Sequence, residues 1–518
     1  MCVVCSVCVE SGGRGARRIP NTRSKPNLES VMRTLTRAAL LAAATCLAGC
    51  ITVGPDYSRP EVQVPATWRI DLPQAEEVVN TAWWEQFDDP VLNDLVQSAL
   101  QGNLDVRIAA ARVDQFIGVL RSARSQGLPQ IGYGANVSRN RASQAGMPPL
   151  PPTLDPVFDL YQGMLSASWQ IDLFGRVRRL TEAAQAQVYA SEQAQRGVVL
   201  SLVTGVATSY ITLRGLDRQL EIARATAGNF GETLRIFELR YRDGLVSQTE
   251  LAQVRSQYKL AQTAIPAIEQ QIGIVENGIS VLLGRTPGPI PRGKSVSELV
   301  LPVIPADLPS TLLERRPDIL QAEQNLVAAN ANVGAARALY YPTISLTGAL
   351  GSVSTAFGDF LSGPAQVWSV AAGLTGPIFT SGAIGGQVQS AEAQKRQAEL
   401  VYRQTVLGAF GDTNNALVSS QKTIEQAELQ QQRVEALREF ARLSRLKFED
   451  GLIGYLEVLI SENDLFSAEL ALASLQASRF NQVIGVYQAM GGGWVDIADS
   501  RTPVALSAAG KGNSVQGR

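Results

Sequence analysis

Five cysteines are the residues of this chain best suited to metal binding or covalent chemistry, and all lie within the first 50 positions. Cys2, Cys5 and Cys8 form a CxxCxxC pattern compatible with a metal site, but no further cysteine or histidine follows at ligand spacing. We therefore interpret residues 1–31, which are rich in Arg, Gly and Ser, as an upstream extension, and we expect no metal site and no cofactor.

The chain contains no histidine, which narrows the activities open to it. Histidine is the commonest general base and a common metal ligand, so its absence argues against hydrolytic and metal-dependent catalysis. The formal charge of -1 and the lack of a basic cluster interleaved with aromatic residues argue against nucleic acid as a partner. We predict that the protein is not an enzyme and does not bind nucleic acid.

Cys50 is placed for a different kind of chemistry. From Met32 the sequence reads MRTLTRAALLAAATCLAGC, with a basic start, an apolar run and small residues before the cysteine. This order predicts a signal peptide over 32–49. The LAGC segment resembles the bacterial lipobox, in which the cysteine is acylated and becomes the first mature residue. The residue after the cysteine is Ile51. In lipoproteins with this signal, a residue other than Asp at that position implies transport to the outer membrane.

Four short segments alternate apolar and polar residues, as half-exposed strands do. In the second of them Tyr161, Leu165 and Trp169 fall on one side, and Ser166 and Gln170 fall on the other. This alternation is typical of a membrane barrel strand, although a sandwich strand of a soluble domain has the same pattern. The four segments cover about residues 131–139, 160–173, 343–350 and 368–375.

Long helices are predicted next to these strands. Between Val157 and Ile265 the chain has no proline, and apolar residues recur at steps of three and four from Val199 to Tyr241. That seam covers roughly 40 residues, or ~60 Å of helix at ~1.5 Å per residue, which no compact domain needs. No later segment has 18 uninterrupted apolar residues, so we expect membrane crossing by strands rather than by a helix.

The order of helix, strand pair and long helices occurs twice, which indicates an internal duplication. The clearest sign is a repeated turn: YRDGLVSQTEL at 241–251 matches FEDGLIGYLEV at 448–458. We divide the chain accordingly. The predicted segments are an extension (1–31), a signal peptide (32–49), an extended segment (50–90), a first repeat (91–300), a second repeat (301–495) and a tail (496–518).

The number of strands predicts an assembly. One chain offers four membrane-type strands, but a closed transmembrane barrel needs at least about eight, because an open edge in lipid leaves backbone groups unpaired. Three chains would supply twelve strands and bring many long helices side by side.

These features together resemble the outer membrane factor family of TolC-like channel-tunnels, in particular its lipoprotein (NodT-like) branch. The most specific motif begins LLERRPDILQAE at Leu312 and contains Glu314, Arg315, Arg316, Pro317 and Asp318; further motifs are SWQIDLFG from Ser168 and MGGGW from Met490. The resemblance implies a mixed α and β fold: a trimer with a twelve-stranded barrel and a long periplasmic α-helical barrel. Pro317 and Asp318 suit a helix N-terminus, so we read the two arginines as structural contacts.

The resemblance also assigns roles to the repeated turn. It implies that Gly244 and Leu245 of the first copy, and Gly451 and Leu452 of the second, face a periplasmic adaptor protein; a plain helix reversal is the alternative. It further implies a periplasmic gate just beyond the turns. Leu456 suits a hydrophobic constriction, Glu457 an acidic ring and Glu250 its counterpart, whereas Ile460 stands where relatives often carry Asp. We expect Tyr455 to add bulk to this plug.

The resulting hypothesis is a passive exit duct in the outer membrane of a Gram-negative bacterium, anchored by lipid at Cys50. Its expected partners are two further copies, the adaptor, an inner membrane pump of the resistance-nodulation-division (RND) class and outer membrane lipid. The cargo would be small molecules such as drugs or metal ions. Alternatives are the duct of a type I protein secretion system, a lipid-anchored enzyme and a coiled-coil structural protein.

Overall fold

A computed structural model describes residues 52–65, 68, 82–143, 155–302, 309 and 312–492. Cys50, the signal peptide, the upstream extension, Gly493, Trp494 and the tail lie outside the described residues. The helices and strands, in chain order, are α1 (Pro90–Gly102), α2 (Leu104–Ser125), β1 (Gln130–Arg141), β2 (Val157–Ile171), α3 (Arg176–Arg242), α4 (Gln248–Leu282), α5 (Leu312–Arg315), α6 (Pro317–Arg337), β3 (Thr343–Ser354), β4 (Gln366–Thr375), α7 (Ala383–Glu449) and α8 (Tyr455–Ala489).

Two helical hairpins dominate the described chain, and they have the same dimensions. In each, a helix of 67 residues is followed by a helix of 35 residues, namely α3 with α4 and α7 with α8. A helix of 67 residues spans ~100 Å at ~1.5 Å per residue. We call α3 and α4 the first hairpin, and α7 and α8 the second.

The seam predicted on α3 is the face that packs. Val206, Tyr210 and Leu213 are fully buried, and of the predicted positions only Tyr241, beside the turn, is exposed. Near the middle of α3, these side chains join a core with α1, the end of α4 and part of α8. Trp83 belongs to the same core and stacks on Tyr487 at 5.1 Å. The core holds the first hairpin against the second.

One 18-residue window of α3 is apolar enough, by length and composition, to cross a membrane. Half of that window is buried inside the protein. The apolar character is explained by packing against neighbouring helices, so it does not change the assignment of membrane crossing to strands.

The strands form one antiparallel sheet in the order β1-β2-β3-β4. Tyr133, Leu165, Leu350 and Trp368 lie opposite one another across the four strands. They belong to one face, which we call the apolar face. Its exposed apolar side chains are Ile131, Tyr133, Val137, Leu165, Trp169, Leu346, Leu350, Trp368, Val370 and Leu374.

The opposite face, called the polar face, carries mostly Gly, Ser, Thr, Asn and Gln. The row Gly132, Ser166, Ala349 and Ser369 is representative. No strand residue on this face is charged. The sheet therefore has the apolar and polar sides of a membrane barrel wall, and the long helices continue from only one of its ends.

Residues 52–65 contain no helix or strand and lie along α3 and α6. Arg59 forms a two-point ion pair with Glu323 (2.9 and 2.5 Å), and the Tyr57 hydroxyl donates to the same carboxylate. Asp56 pairs with Arg179 at 2.7 Å. This segment links α3 to α6, because charged residues of both helices form ion pairs with it.

Candidate functional site at the helical tips

The two hairpins reverse direction through turns of the same geometry, at residues 243–247 and 450–454. Gly244 and Gly451 both have φ of +72°, a left-handed conformation that glycine adopts without steric cost. The N–H groups of Leu245 and Leu452 donate to the carbonyls of Arg240 and Lys447 at 2.8 Å in both turns. These bonds form a Schellman motif, which ends the long helix and satisfies its last carbonyl groups.

The leucine after each glycine points away from the protein. Leu245 is 72% exposed and Leu452 is 71% exposed. In many Schellman motifs the residue at this position packs back on its own helix. Here the leucines remain mostly exposed, so each tip presents one apolar side chain to solvent.

The two returning helices begin differently. The hydroxyl of Ser247 accepts from the Glu250 N–H (3.2 Å), while the Glu250 carboxylate accepts from the Ser247 N–H (2.7 Å). This reciprocal pair is a capping box. In the second copy the N-cap is Gly454, which has no side chain to offer, and Glu457 is exposed. Glu250 therefore holds a helix terminus, whereas Glu457 has no capping role.

An aromatic cluster packs between the two hairpins close to their tips. The Tyr455 ring lies 4.3 Å from Phe237 and 5.0 Å from Phe448, and only 6% of Tyr455 is exposed. This burial, together with the nearby Glu462 carboxylate, raises the pKa of Tyr455 to about 12. The expectation that Tyr455 adds bulk to a plug is wrong for this conformation, because its ring fills the core between the hairpins.

Leu456 and Glu457 are the exposed residues of the first turn of α8. Leu456 is 54% exposed, and Ile460, one turn further on the same side, is 50% exposed. The structure thus brings Gly244, Leu245, Gly451 and Leu452 to one end of the paired hairpins and places the three predicted gate residues just beyond them. Their roles as docking tips and gate remain predictions.

An ion pair crosses each hairpin close to its tip. Glu238 of α3 pairs with Arg255 of α4 at 3.2 Å, and Arg445 of α7 pairs with Glu462 of α8. The positions are equivalent, because 445 − 238 and 462 − 255 both equal 207, the spacing of the two tips (451 − 244). The charges, however, are reversed between the copies. The residue types alone do not indicate these pairs, because the charges are exchanged between the copies. The 207-residue offset does locate the equivalent positions.

The LLERRPD motif lies away from the tips. Arg316 donates to both oxygens of Asp318 (3.0 and 2.7 Å) and to the Ala489 carbonyl (2.9 Å), and it reaches Asp412 at 3.3 Å. Burial works to lower the pKa of this guanidinium, but its bonds to the two carboxylates hold the pKa above its ordinary value. Arg316 therefore ties the start of α6 to α7 and to the end of α8.

Two glycines of the MGGGW motif lie just beyond the end of α8. Gly491 and Gly492 have φ of +86° and +79°. The Gly492 N–H donates to the Tyr487 carbonyl at 2.8 Å, which closes another Schellman motif. Pro317 occupies the first turn of α6, as predicted. Within the described part of the chain, no three His, Cys, Asp or Glu residues converge as a metal site.

Comparison with known proteins places this geometry in context. The family model for the outer membrane efflux protein matches residues 95–285 and 308–492. The solvent efflux pump outer membrane protein SrpC of Pseudomonas putida is 32% identical over 465 residues, covering 86% of this chain and 96% of that protein. "Probable outer membrane lipoprotein SilC" of Salmonella typhimurium is 30% identical over 456 residues, covering 87% and 97%.

A solved structure shows the same fold. The open state of the Neisseria gonorrhoeae MtrE outer membrane channel superimposes with a TM-score of 0.77 at 29% identity, covering 86% of this chain and 99% of that one. The long helices and the four antiparallel strands per chain are common to both.

Proposed function

The chain belongs to the outer membrane efflux protein family, whose members are outer membrane channels of efflux pumps, and on that premise we propose that three copies of it form one passive exit duct. The duct performs no chemistry. It gives cargo delivered by an inner membrane pump a continuous path to the outside.

The sheet carries this proposal. Within the described residues, one chain exposes an apolar face and leaves one edge of β1 and one edge of β4 without a partner strand. Lipid cannot satisfy those backbone groups, so the edges must pair with other copies. Pairing β4 of one copy with β1 of the next continues the antiparallel alternation around a ring.

The size of the lumen favours three copies over two. Two copies would give eight strands, and an eight-stranded barrel is only wide enough to be filled by its own side chains. Three copies would give twelve strands and a wider interior. The small and uncharged side chains of the polar face leave that interior open to water.

The long hairpins extend the duct to its partners. Three copies would present six tips, each with a left-handed glycine and an exposed leucine. Such an apolar side chain at a rigid turn suits an anchor for a partner protein. We assign Gly244, Leu245, Gly451 and Leu452 to the periplasmic adaptor, and Leu456, Glu457 and Glu250 to the region that narrows the closed tube.

The names of two relatives support a proposal for the pump and its cargo. One relative is named as the outer membrane protein of a solvent efflux pump, and another as that of an antibiotic efflux pump. We propose the RND class of pump and small-molecule cargo such as drugs or metal ions. The efflux names of these two relatives favour small-molecule export over the type I secretion alternative.

Lipid attachment at Cys50 completes the proposal. The described chain begins at Thr52, whose atoms lie beside Gly175, just beyond the end of β2 and so near the predicted membrane boundary. Mass spectrometry of the mature N-terminal peptide should find acylated Cys50, and Cys50→Ser should abolish the modification.

The mass of the purified complex and its conductance in lipid bilayers test the proposed duct. The purified complex should sediment as three chains and should form ion-conducting channels in planar bilayers. A monomer without conductance would refute the proposal.

The docking assignment is tested by substitutions that preserve the turns. Leu452→Glu should abolish efflux in cells while trimer and outer membrane levels stay normal, because a charge replaces the apolar contact. Gly451→Asn should retain most efflux, since Asn tolerates the left-handed region, and Gly451→Glu should lose it. The matched control is Gly228→Glu on α3, where a side chain meets open space. Full efflux by Leu452→Glu would remove the tips as docking sites.

A further inference from the structure

The loop between β3 and β4 is folded over one particular face of the sheet. This loop, residues 355–365, is ordered by two short 3-10 turns, Phe357–Asp359 and Gly363–Ala365. The Phe357 ring meets Tyr161 edge-on at 5.5 Å. Tyr161 is paired with Val137, so it belongs to the apolar face. The loop therefore does not lean over the polar face, which would line the lumen.

Gly163 provides the space for this fold. A Cβ atom built on Gly163 would lie 2.8 Å from the Phe360 ring, so the ring occupies the position that a side chain on the apolar face would fill. Phe360 is half-buried there. Glycine at this strand position thus permits close approach of the loop.

Two of the exposed side chains of the loop, Phe357 and Leu361, are large and apolar, whereas Asp359 between them is exposed and charged, as suits the headgroup level. Leu361 is 85% exposed and Phe357, despite its contact with Tyr161, is 73% exposed. If the loop were surrounded by water, the exposure of two large apolar side chains would be energetically unfavourable. On the apolar face they extend a surface that already carries ten exposed apolar side chains along the strands.

The depth of the loop matches the edge of a bilayer. From Tyr161 to Ile171 the strand β2 covers ~34 Å, which is roughly 26 Å of depth at the ~40° tilt of barrel strands. The apolar band of an outer membrane barrel is ~25 Å tall and has aromatic girdles at both boundaries. With Ile171, at the helix end of β2, placed at the inner boundary, Tyr161 lies at the outer boundary. At that level Arg139 pairs with Asp159 at 3.8 Å, as suits the headgroup region.

We propose that the β3–β4 loop is inserted among the lipid acyl chains of the outer leaflet, where Phe357, Phe360 and Leu361 anchor the outer rim of the channel. This inference rests on the proposed function, because it requires the apolar face to contact lipid. It assigns the loop to the membrane and excludes it as a lid over the channel mouth.

Spin labelling tests the location. The chain beyond Cys50 contains no cysteine, so Leu361→Cys and Phe357→Cys each create a single labelling site there. In the full-length complex in lipid nanodiscs, collision of the label with oxygen should exceed collision with a water-soluble nickel chelate. The ratio should be severalfold higher than for a label at Ser138→Cys on the polar face. A ratio equal to that at Ser138 would overturn the proposal.

One further label separates this inference from its premise. Val370→Cys, on the apolar face at mid-sheet, should be oxygen-accessible if the sheet faces lipid at all. A water-exposed label at 370 would refute the lipid-facing sheet, whereas a lipid-exposed label at 370 with a water-exposed label at 361 would refute the loop insertion alone. Adding Gly163→Leu should displace Phe360 and shift the label at 361 towards nickel accessibility.

Discussion

Glu250 and Glu457 occupy equivalent positions, 207 residues apart, and yet only one of them caps a helix. The difference is made three residues earlier, where the first copy has Ser247 and the second has Gly454. A serine side chain and a glutamate three positions later satisfy each other's backbone N–H groups. Without the serine, the carboxylate of Glu457 remains available to the space beyond the tip.

Gly454→Ser should therefore convert the second tip to the arrangement of the first. We expect Glu457 to turn towards the N-cap N–H, with a gain of a few tenths of a kcal/mol in stability. The cation preference of the channel, measured as a reversal potential across a salt gradient, should fall even though no charge is removed. The reciprocal Ser247→Gly should release Glu250 and raise that preference. If Glu457→Gln lowers the preference and Gly454→Ser leaves it unchanged, the carboxylate does not move as we expect.

The reversed ion pairs distinguish the two hairpins. Glu238–Arg255 is largely solvated, whereas the Glu462 side chain is only 13% exposed beneath Arg445. Surface pairs are worth at most about 1 kcal/mol, whereas removing one partner of a buried pair costs about 3 to 5 kcal/mol. The Arg445 side chain is 53% exposed, so its pair with Glu462 lies between these two cases. The second hairpin is thus more sensitive to its pair than the first.

Thermal unfolding of charge variants checks this difference. Arg255→Glu should lower stability by less than about 1 kcal/mol, and added salt should reduce the effect. Glu462→Lys should cost roughly 3 kcal/mol with little dependence on salt. The exchange Arg445→Glu with Glu462→Arg should recover most of that loss, since it reproduces the polarity of the first hairpin. Equal costs for both single variants would contradict the assigned burial.

A third ion cluster fastens the first hairpin at the end away from its tip. Arg292 bridges Asp217 of α3 (3.1 Å) and Glu276 of α4, and the Ile290 N–H also donates to Glu276 (3.1 Å). Burial works to raise the pKa of Glu276, but these bonds outweigh it, and its pKa lies below the ordinary value of 4.5. A lowered carboxyl pKa contributes stability above the unfolded-state value and loses it as the pH falls through the folded-state value.

Glu276→Gln should consequently destabilise the protein at neutral pH by about 1.5 to 3 kcal/mol, the usual contribution of a hydrogen bond to a charged group. The difference in melting temperature between wild type and variant should shrink as the pH falls below about 4.5. Glu428→Gln, a change of the same type on an exposed face of α7, should show no such difference. A gap that persists at low pH would mean that the carboxylate charge is not what stabilises the cluster.

Periodicity predicts elements better than it predicts contacts. The strand segments and the α3 seam follow from residue type alone, because alternation and steps of three and four reflect which face is buried. α4, however, runs through Pro266, a residue that ordinarily interrupts a helix. The burial of the Tyr455 ring and the ion pair between Arg59 and Glu323 depend on residues that are distant in the sequence. A local pattern of residue types does not contain that information.

Ion selectivity of the assembled duct should be decided at its periplasmic end. The polar face of the sheet has no charged strand residue, so the strands would offer no fixed charge to ions passing through the barrel. Three copies of Glu457 beside three of Leu456 would instead form a narrow acidic ring. Carboxylate rings favour cations, and hydrophobic constrictions limit conduction.

Leu456→Ala combined with Glu457→Ala should therefore raise single-channel conductance and bring the cation-to-anion permeability ratio close to that of free solution. Leu456→Ala alone should raise conductance and retain the cation preference, which separates the contribution of width from that of charge. Asn136→Asp, on the polar face of β1, should partly restore a cation preference in the double variant, because it supplies the barrel with the charge it lacks. Persistent selectivity in the double variant would place the filter at another level of the duct, and unchanged conductance would remove Leu456 from the constriction.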